Sequence, residues 1–132
     1  MNENEIIQKL KILTADLYFM SESDYPFEVF NWGIKNDEEI KQRILSMHNA
    51  DDRIITIKTS DFFEKIIYNF KNSEESLSLS IAKRYEFLYD FIKTNEFETV
   101  VYKCGVIEID VYILIVLSSK IVVGLKTISV ET

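Results

Sequence analysis

Apolar residues in the first part of the chain recur at helical steps. From Glu3 to Tyr18, Ile6, Leu10, Leu13 and Leu17 follow one another at four- and three-residue intervals, which places them on one face of a helix. Asn2 and Glu5 have capping-box spacing, with Asn in place of the usual Ser or Thr. The polar stretch MSESDYPF, Met20 to Phe27, breaks this pattern, and Tyr25 is pushed toward extended geometry by Pro26. Phe27 to Trp32 reads as a strand. Asp37 to Met47 reads as a helix, with Ile40, Ile44 and Met47 at i, i+4, i+7. Its acids Asp37, Glu38 and Glu39 fall in the first turn, where the helix dipole favours them. After a turn at Asn49 to Arg53, Ile54, Ile55 and Ile57 suggest a short strand. Thr59, Ser60 and Asp61 are candidate caps for a helix reaching about Phe70. Lys71 to Glu75 is a polar loop, and Leu77 to Thr94 is the longest helix, with Leu77, Ile81, Tyr85, Leu88 and Ile92 sharing a face.

Beyond Asn95 the character changes. Phe97 to Lys103, Val106 to Leu117 and Ile121 to Val130 are rich in Val, Ile, Tyr and Thr. The turn-like stretches Cys104-Gly105 and Ser118-Ser119-Lys120 separate them. Consecutive strands with short connections predict an antiparallel meander. Helices early and strands late make the chain α+β. Val111 to Leu117 shows no polar alternation, which predicts a central strand buried on both faces and helices on both sides of a mostly antiparallel sheet.

The 132 residues suit one domain, 1–132, with a core. Fifteen Lys and Arg against 22 Asp and Glu leave a net charge of −7. That balance argues against direct nucleic-acid binding, which relies on cations neutralising phosphates, and suits a basic protein partner. A single cysteine, Cys104, excludes an internal disulfide and fits a reducing compartment. The N-terminus MNENEIIQKL has no basic region leading into an apolar stretch. The longest apolar run, Val111 to Leu117, is far short of the ~20 residues of a membrane helix. A cytoplasmic protein without membrane association is expected.

The catalytic inventory is thin. His48 is the only histidine, and a solvated helix-end histidine near the last carbonyls is preferred over a general base. Cys104 reads as a semi-buried thiol rather than as half of a Cys104–His48 nucleophilic pair. The glycines stand apart at 33, 105 and 124, so no phosphate loop exists, and ligands for zinc are lacking. Asp37-Glu38-Glu39 can hold a hard cation weakly, although a solvated helix start explains the run better. Tyr85, Phe87, Tyr89 and Phe91 alternate faces of a helix and read as packing residues. No enzyme site and no cofactor are expected.

Two places stand apart from this background. In Met20-Ser21-Glu22-Ser23-Asp24-Tyr25-Pro26, two carboxylates and two hydroxyls sit in a loop pinned between a helix and a proline. By composition alone it is equally an ordinary polar loop. At Val130-Glu131-Thr132, a strand is expected to continue to the last residue, which would hold its terminal carboxylate in place, unlike a frayed tail.

The same two places carry a resemblance. FMSESDYPFEVFNW, Phe19 to Trp32, together with VYKCGVIEIDVYILIV and the ending GLKTISVET, resembles the nuclease A inhibitor family, whose members silence a sugar-non-specific DNA/RNA endonuclease of the ββα-metal type. The resemblance implies an α-β-α sandwich similar to pathogenesis-related-1 proteins, no cofactor of its own, and a nuclease with its bound divalent metal as partner. It also implies that Glu22 stands in for the charge of the scissile phosphate. Thr132 would reach the nuclease's metal through its hydroxyl, with Ser21, Ser23, Asp24 and Glu131 around them at the interface. The physics agrees, since a cleft preorganised with cations for phosphoryl chemistry also attracts a rigid carboxylate that offers no bond to cleave. Two stretches differ from the family pattern. Phe70 to Ser73 reads F-K-N-S where the family carries an acidic residue followed by Trp as a second contact, and ILIVLSSK after Tyr112 replaces a glycine-containing turn. An acidic interaction module of the same fold, binding a non-nuclease partner, is the alternative.

Overall fold

The computed structural model describes all 132 residues, Met1–Thr132. Four helices and seven strands follow in the order α1 (Glu3–Thr14), β1 (Tyr18–Met20), β2 (Asp24–Pro26), β3 (Glu28–Ile34), α2 (Asp37–Ser46), β4 (Ile54–Ile57), α3 (Thr59–Lys71), α4 (Ser78–Thr94), β5 (Glu98–Cys104), β6 (Glu108–Val116) and β7 (Ile121–Val130). β1 and β2 form a small hairpin, and the other five strands form one sheet in the order β3-β7-β6-β5-β4, antiparallel at every pairing. The expected meander is β5-β6-β7, and β6 is the central strand.

Val111 to Ile115 are buried without interruption because the sheet is covered on both faces. Val111, Ile113 and Ile115 pack with Ile6 and Leu10 of α1, Phe63 of α3, and Tyr85, Leu88 and Ile92 of α4. Tyr112 and Leu114, on the opposite face, pack with Ile40 and Ile44 of α2. The two-residue period of the strand thus feeds two separate cores. Gly124 permits a close approach of β7 to β6, since a Cβ there would collide with the Ile113 carbonyl oxygen and the Phe30 ring.

Several boundaries depart from the sequence reading. α1 stops at Thr14 rather than continuing to Tyr18. Asp16 takes φ 58°, a left-handed position that a short polar side chain tolerates. Leu17 is still buried, but it packs from the connection to β1. Asn2 caps α1 by accepting from the Glu5 N–H at 2.9 Å, whereas the reciprocal, complete capping box is at α2, between Asn36 and Glu39. Thr59, Ser60 and Asp61 do not cap α3, whose N-cap is Lys58 with no side-chain bond. The Thr59 hydroxyl instead accepts from Thr99 Oγ1 at 2.8 Å, so a cross-link to β5 displaces the local cap. Leu77 precedes α4 and is 69% exposed, outside the buried stripe of Tyr85, Leu88 and Ile92. Between β6 and β7, Lys120 takes φ 69°, a conformation that glycine adopts more easily.

Candidate functional site: an acidic hairpin tied to the chain end

The β1–β2 hairpin is positioned from beneath by α4. Arg84 Nη2 donates to the carbonyls of Leu13 at 3.1 Å and Ala15 at 2.6 Å, collecting acceptors that the end of α1 leaves without helical partners. The Tyr85 hydroxyl donates to the Tyr18 carbonyl at 2.6 Å. Burial pushes the Tyr85 phenol far above its ordinary range, so it stays protonated and remains a donor. From the sheet side, Thr127 Oγ1 donates to the Pro26 carbonyl at 3.0 Å.

Met20 pairs with Asp24 across the hairpin, which leaves Ser21, Glu22 and Ser23 in the connecting loop. Ser21 Oγ donates to the Ser23 carbonyl at 2.9 Å and accepts from the Val130 N–H at 2.9 Å. The Glu22 N–H donates to the Val130 carbonyl at 3.3 Å. The loop is thereby latched to the end of β7. Beyond β7, the Glu131 N–H donates to the Ile107 carbonyl at 2.9 Å, and Glu131 Oε2 accepts from Ser129 Oγ at 2.8 Å.

These latches bring the two singled-out places into contact. The Thr132 N–H donates to Glu22 Oε2 and the Thr132 hydroxyl to Glu22 Oε1, each at 2.5 Å. Glu22 is otherwise exposed. The Thr132 hydroxyl bond, followed by the backbone bond, holds its carboxyl below the ordinary value of 4.5, because both donors favour the charged form. Each Glu22 oxygen spends one acceptor site on Thr132 and keeps further lone-pair capacity. With its O–H directed at Glu22, the Thr132 hydroxyl has only lone pairs left to present. The pair is an anion and a neutral oxygen donor, held together and open to solvent.

Of the other expected residues, Ser21 and Glu131 belong to the latch, Ser23 contributes its carbonyl, and Asp24 is exposed on β2 beside it. The role of Ile107 was not legible in the sequence, because a backbone acceptor in a turn has no residue signature. A groove of about 640 Å³ adjoins the site, lined by Ser21, Ser129 and Glu131 together with Phe19, Ile66 and Phe70.

His48 and Cys104 lie elsewhere and differ from expectation. The His48 side chain is only 8% exposed rather than solvated. Its Nε2 lies 3.0 Å from Asp110 Oδ2 and its Nδ1 3.5 Å from Asp52 Oδ2, so a tertiary partner on β6 replaces the helix-end carbonyls. Cys104 is fully rather than partly buried. Burial, with Asp52 and Asp110 adding to it, pushes its thiol up, away from the thiolate that a nucleophile requires. No three His, Cys, Asp or Glu side chains gather to hold a metal ion. No helix is long and apolar enough to cross a membrane.

The chain is thus a mixed α+β protein with a solvent-facing anionic tip latched to the end of β7, and its one thiol is buried away from that tip. The chain belongs to the nuclease A inhibitor-like protein family (NuiA), whose model matches residues 4–132. Membership makes nuclease inhibition, with a nuclease as partner, the coarse function that the family suggests. No curated protein matches the chain.

Proposed function

We propose that this protein inhibits a sugar-non-specific, metal-dependent DNA/RNA endonuclease of the ββα-metal type by occupying its active site. Glu22 takes the place of the scissile phosphate, and the Thr132 hydroxyl becomes an oxygen ligand of the nuclease's divalent ion. The observation that carries this reading is the bidentate tie between Glu22 and Thr132. Two groups 110 positions apart in the chain are presented as one unit, with the charge on one and free lone pairs on the other. Magnesium takes oxygen ligands and keeps exchangeable waters, so a hydroxyl can replace one of them. A carboxylate already held in position loses little conformational freedom on binding. Ser21, Ser23 and Glu131 hold the tip in shape, and Asp24 adds charge beside it. The sheet covered on both faces supports relating the fold to the α-β-α sandwich of pathogenesis-related-1 proteins, and the inhibitor acts in the compartment where its nuclease would do harm, the cytoplasm.

The test is titration of a purified, Mg²⁺-loaded endonuclease of this type with wild-type protein and Glu22→Gln. The variant keeps the size of the side chain, removes its charge and replaces one of the two oxygens that accept from Thr132 with a donor amide. Inhibition weakens by ~30-fold or more, the lower range for disrupting a desolvated charge contact. Equal potency of the two proteins overturns the phosphate-mimic role. Absence of inhibition by the wild type favours the non-nuclease interaction module.

A further inference from the structure

The turn between β5 and β6 is built rigidly and points apolar side chains at solvent. Gly105 takes φ 130°, and a Cβ there would collide with the Glu108 carbonyl oxygen. The turn is therefore closed tightly on a backbone that other residues rarely adopt. Immediately after it, Val106 is 73% and Ile107 56% exposed, and Met47 at the end of α2 is 53% exposed. All three line one hollow of about 290 Å³. Ile107 is also tied directly to the acidic tip, since its carbonyl accepts from the N–H of Glu131, the neighbour of Thr132.

We propose that the Val106–Ile107 turn is a second contact with the same nuclease, an apolar rim that seals water from the charge contact made by Glu22. The inference rests on the reading of Glu22 given above and adds a surface to it. An exposed carboxylate gains most from a cationic cleft when surrounding contacts exclude solvent. A tip made only of Ser21, Glu22, Ser23 and Glu131 supplies no such seal. The turn is continuous with the tip through the Glu131–Ile107 bond, Gly105 closes it tightly, and its two side chains are each more than half exposed. Its partner surface is an apolar patch of the nuclease bordering the metal-containing cleft.

The experiment compares Val106→Ser/Ile107→Ser, Glu22→Gln and a control, Ile12→Ser, against the Mg²⁺-loaded ββα-metal endonuclease, with association and dissociation rates measured at several salt concentrations. Ile12 is 68% exposed on α1 and is equally apolar. The double variant weakens inhibition ~10- to 100-fold through faster dissociation, leaving the salt dependence of association unchanged. Glu22→Gln changes both rates, and Ile12→Ser changes neither. The milder Val106→Ala/Ile107→Ala pair gives the same ordering with a smaller loss. Loss of inhibition in Glu22→Gln with full potency in both turn variants overturns the rim alone. Full potency in Glu22→Gln overturns the reading beneath it. A double-variant effect matched by Ile12→Ser also overturns the rim, as does a wild-type dimer that the turn substitutions dissociate, because the patch then serves a second copy of this chain.

Discussion

Glu22 holds its charge at a defined point because the donors that fix it are part of the same chain. The sign of its titration follows from those donors. Its carboxyl is held below 4.5 by the Thr132 hydroxyl first and the Thr132 N–H second, so the tie is complete at neutral pH and is lost as pH falls through that lowered midpoint. Carbon-detected NMR of the side-chain carboxyl should place the Glu22 midpoint below 4.5. In Thr132→Val, which removes the hydroxyl and keeps the backbone donor, the midpoint should move up toward 4.5 without reaching it. An unchanged midpoint would assign the shift to something other than the hydroxyl. At this scale the motif in the sequence singled out Glu22, Ser21 and Thr132, which the fold brings into one hydrogen-bonded cluster at the end of β7. His48 was misjudged, because its partner Asp110 is 62 positions away and no local pattern announces a burial made by another strand.

The elements around the site depend on contacts between helices and the hairpin rather than on local propensity. The long helix was legible from its apolar stripe, and Tyr85, Leu88 and Ile92 do face the core. The shortened α1 was not, because Leu17 continues the helical spacing while packing from outside the helix. Arg84 marks the place where that chain change is secured, with the carbonyls of Leu13 in the last turn of α1 and of Ala15 just after it held by one guanidinium nitrogen. Arg84→Ala should cost ~1–3 kcal/mol in chemical denaturation, since it leaves those acceptors without a charged donor. It should also raise amide exchange in β1 and the Ser21–Ser23 loop more than in β6. Uniform exchange changes across the molecule would show that Arg84 acts on global stability and not on the placement of the hairpin. The caps followed the same logic. Asn36 and Glu39 face only their own helix and were available to cap it, whereas Thr59 was drawn into a bond with Thr99.

For the whole molecule, the net charge of −7 is a long-range property, and the tip is a short-range one. An acidic surface approaching a cleft built for polyanions accelerates encounter, and the rate falls as salt shortens the reach of the field. Stopped-flow association with the Mg²⁺-loaded endonuclease should therefore slow several-fold between about 50 mM and 500 mM salt, while dissociation changes little. A salt-independent association rate would confine the role of charge to Glu22. The α+β class, the meander and the doubly covered central strand were all determined by the sequence alone, because hydrophobic period and turn chemistry act over a few residues and survive without knowledge of neighbours. The alignment of Glu22 with Thr132, the burial of His48 and the exposure of Val106 and Ile107 beside the tip were decided only by tertiary structure. Each depends on which strand end lies next to which loop, and that adjacency is set by sheet order and register rather than by any stretch of neighbouring residues.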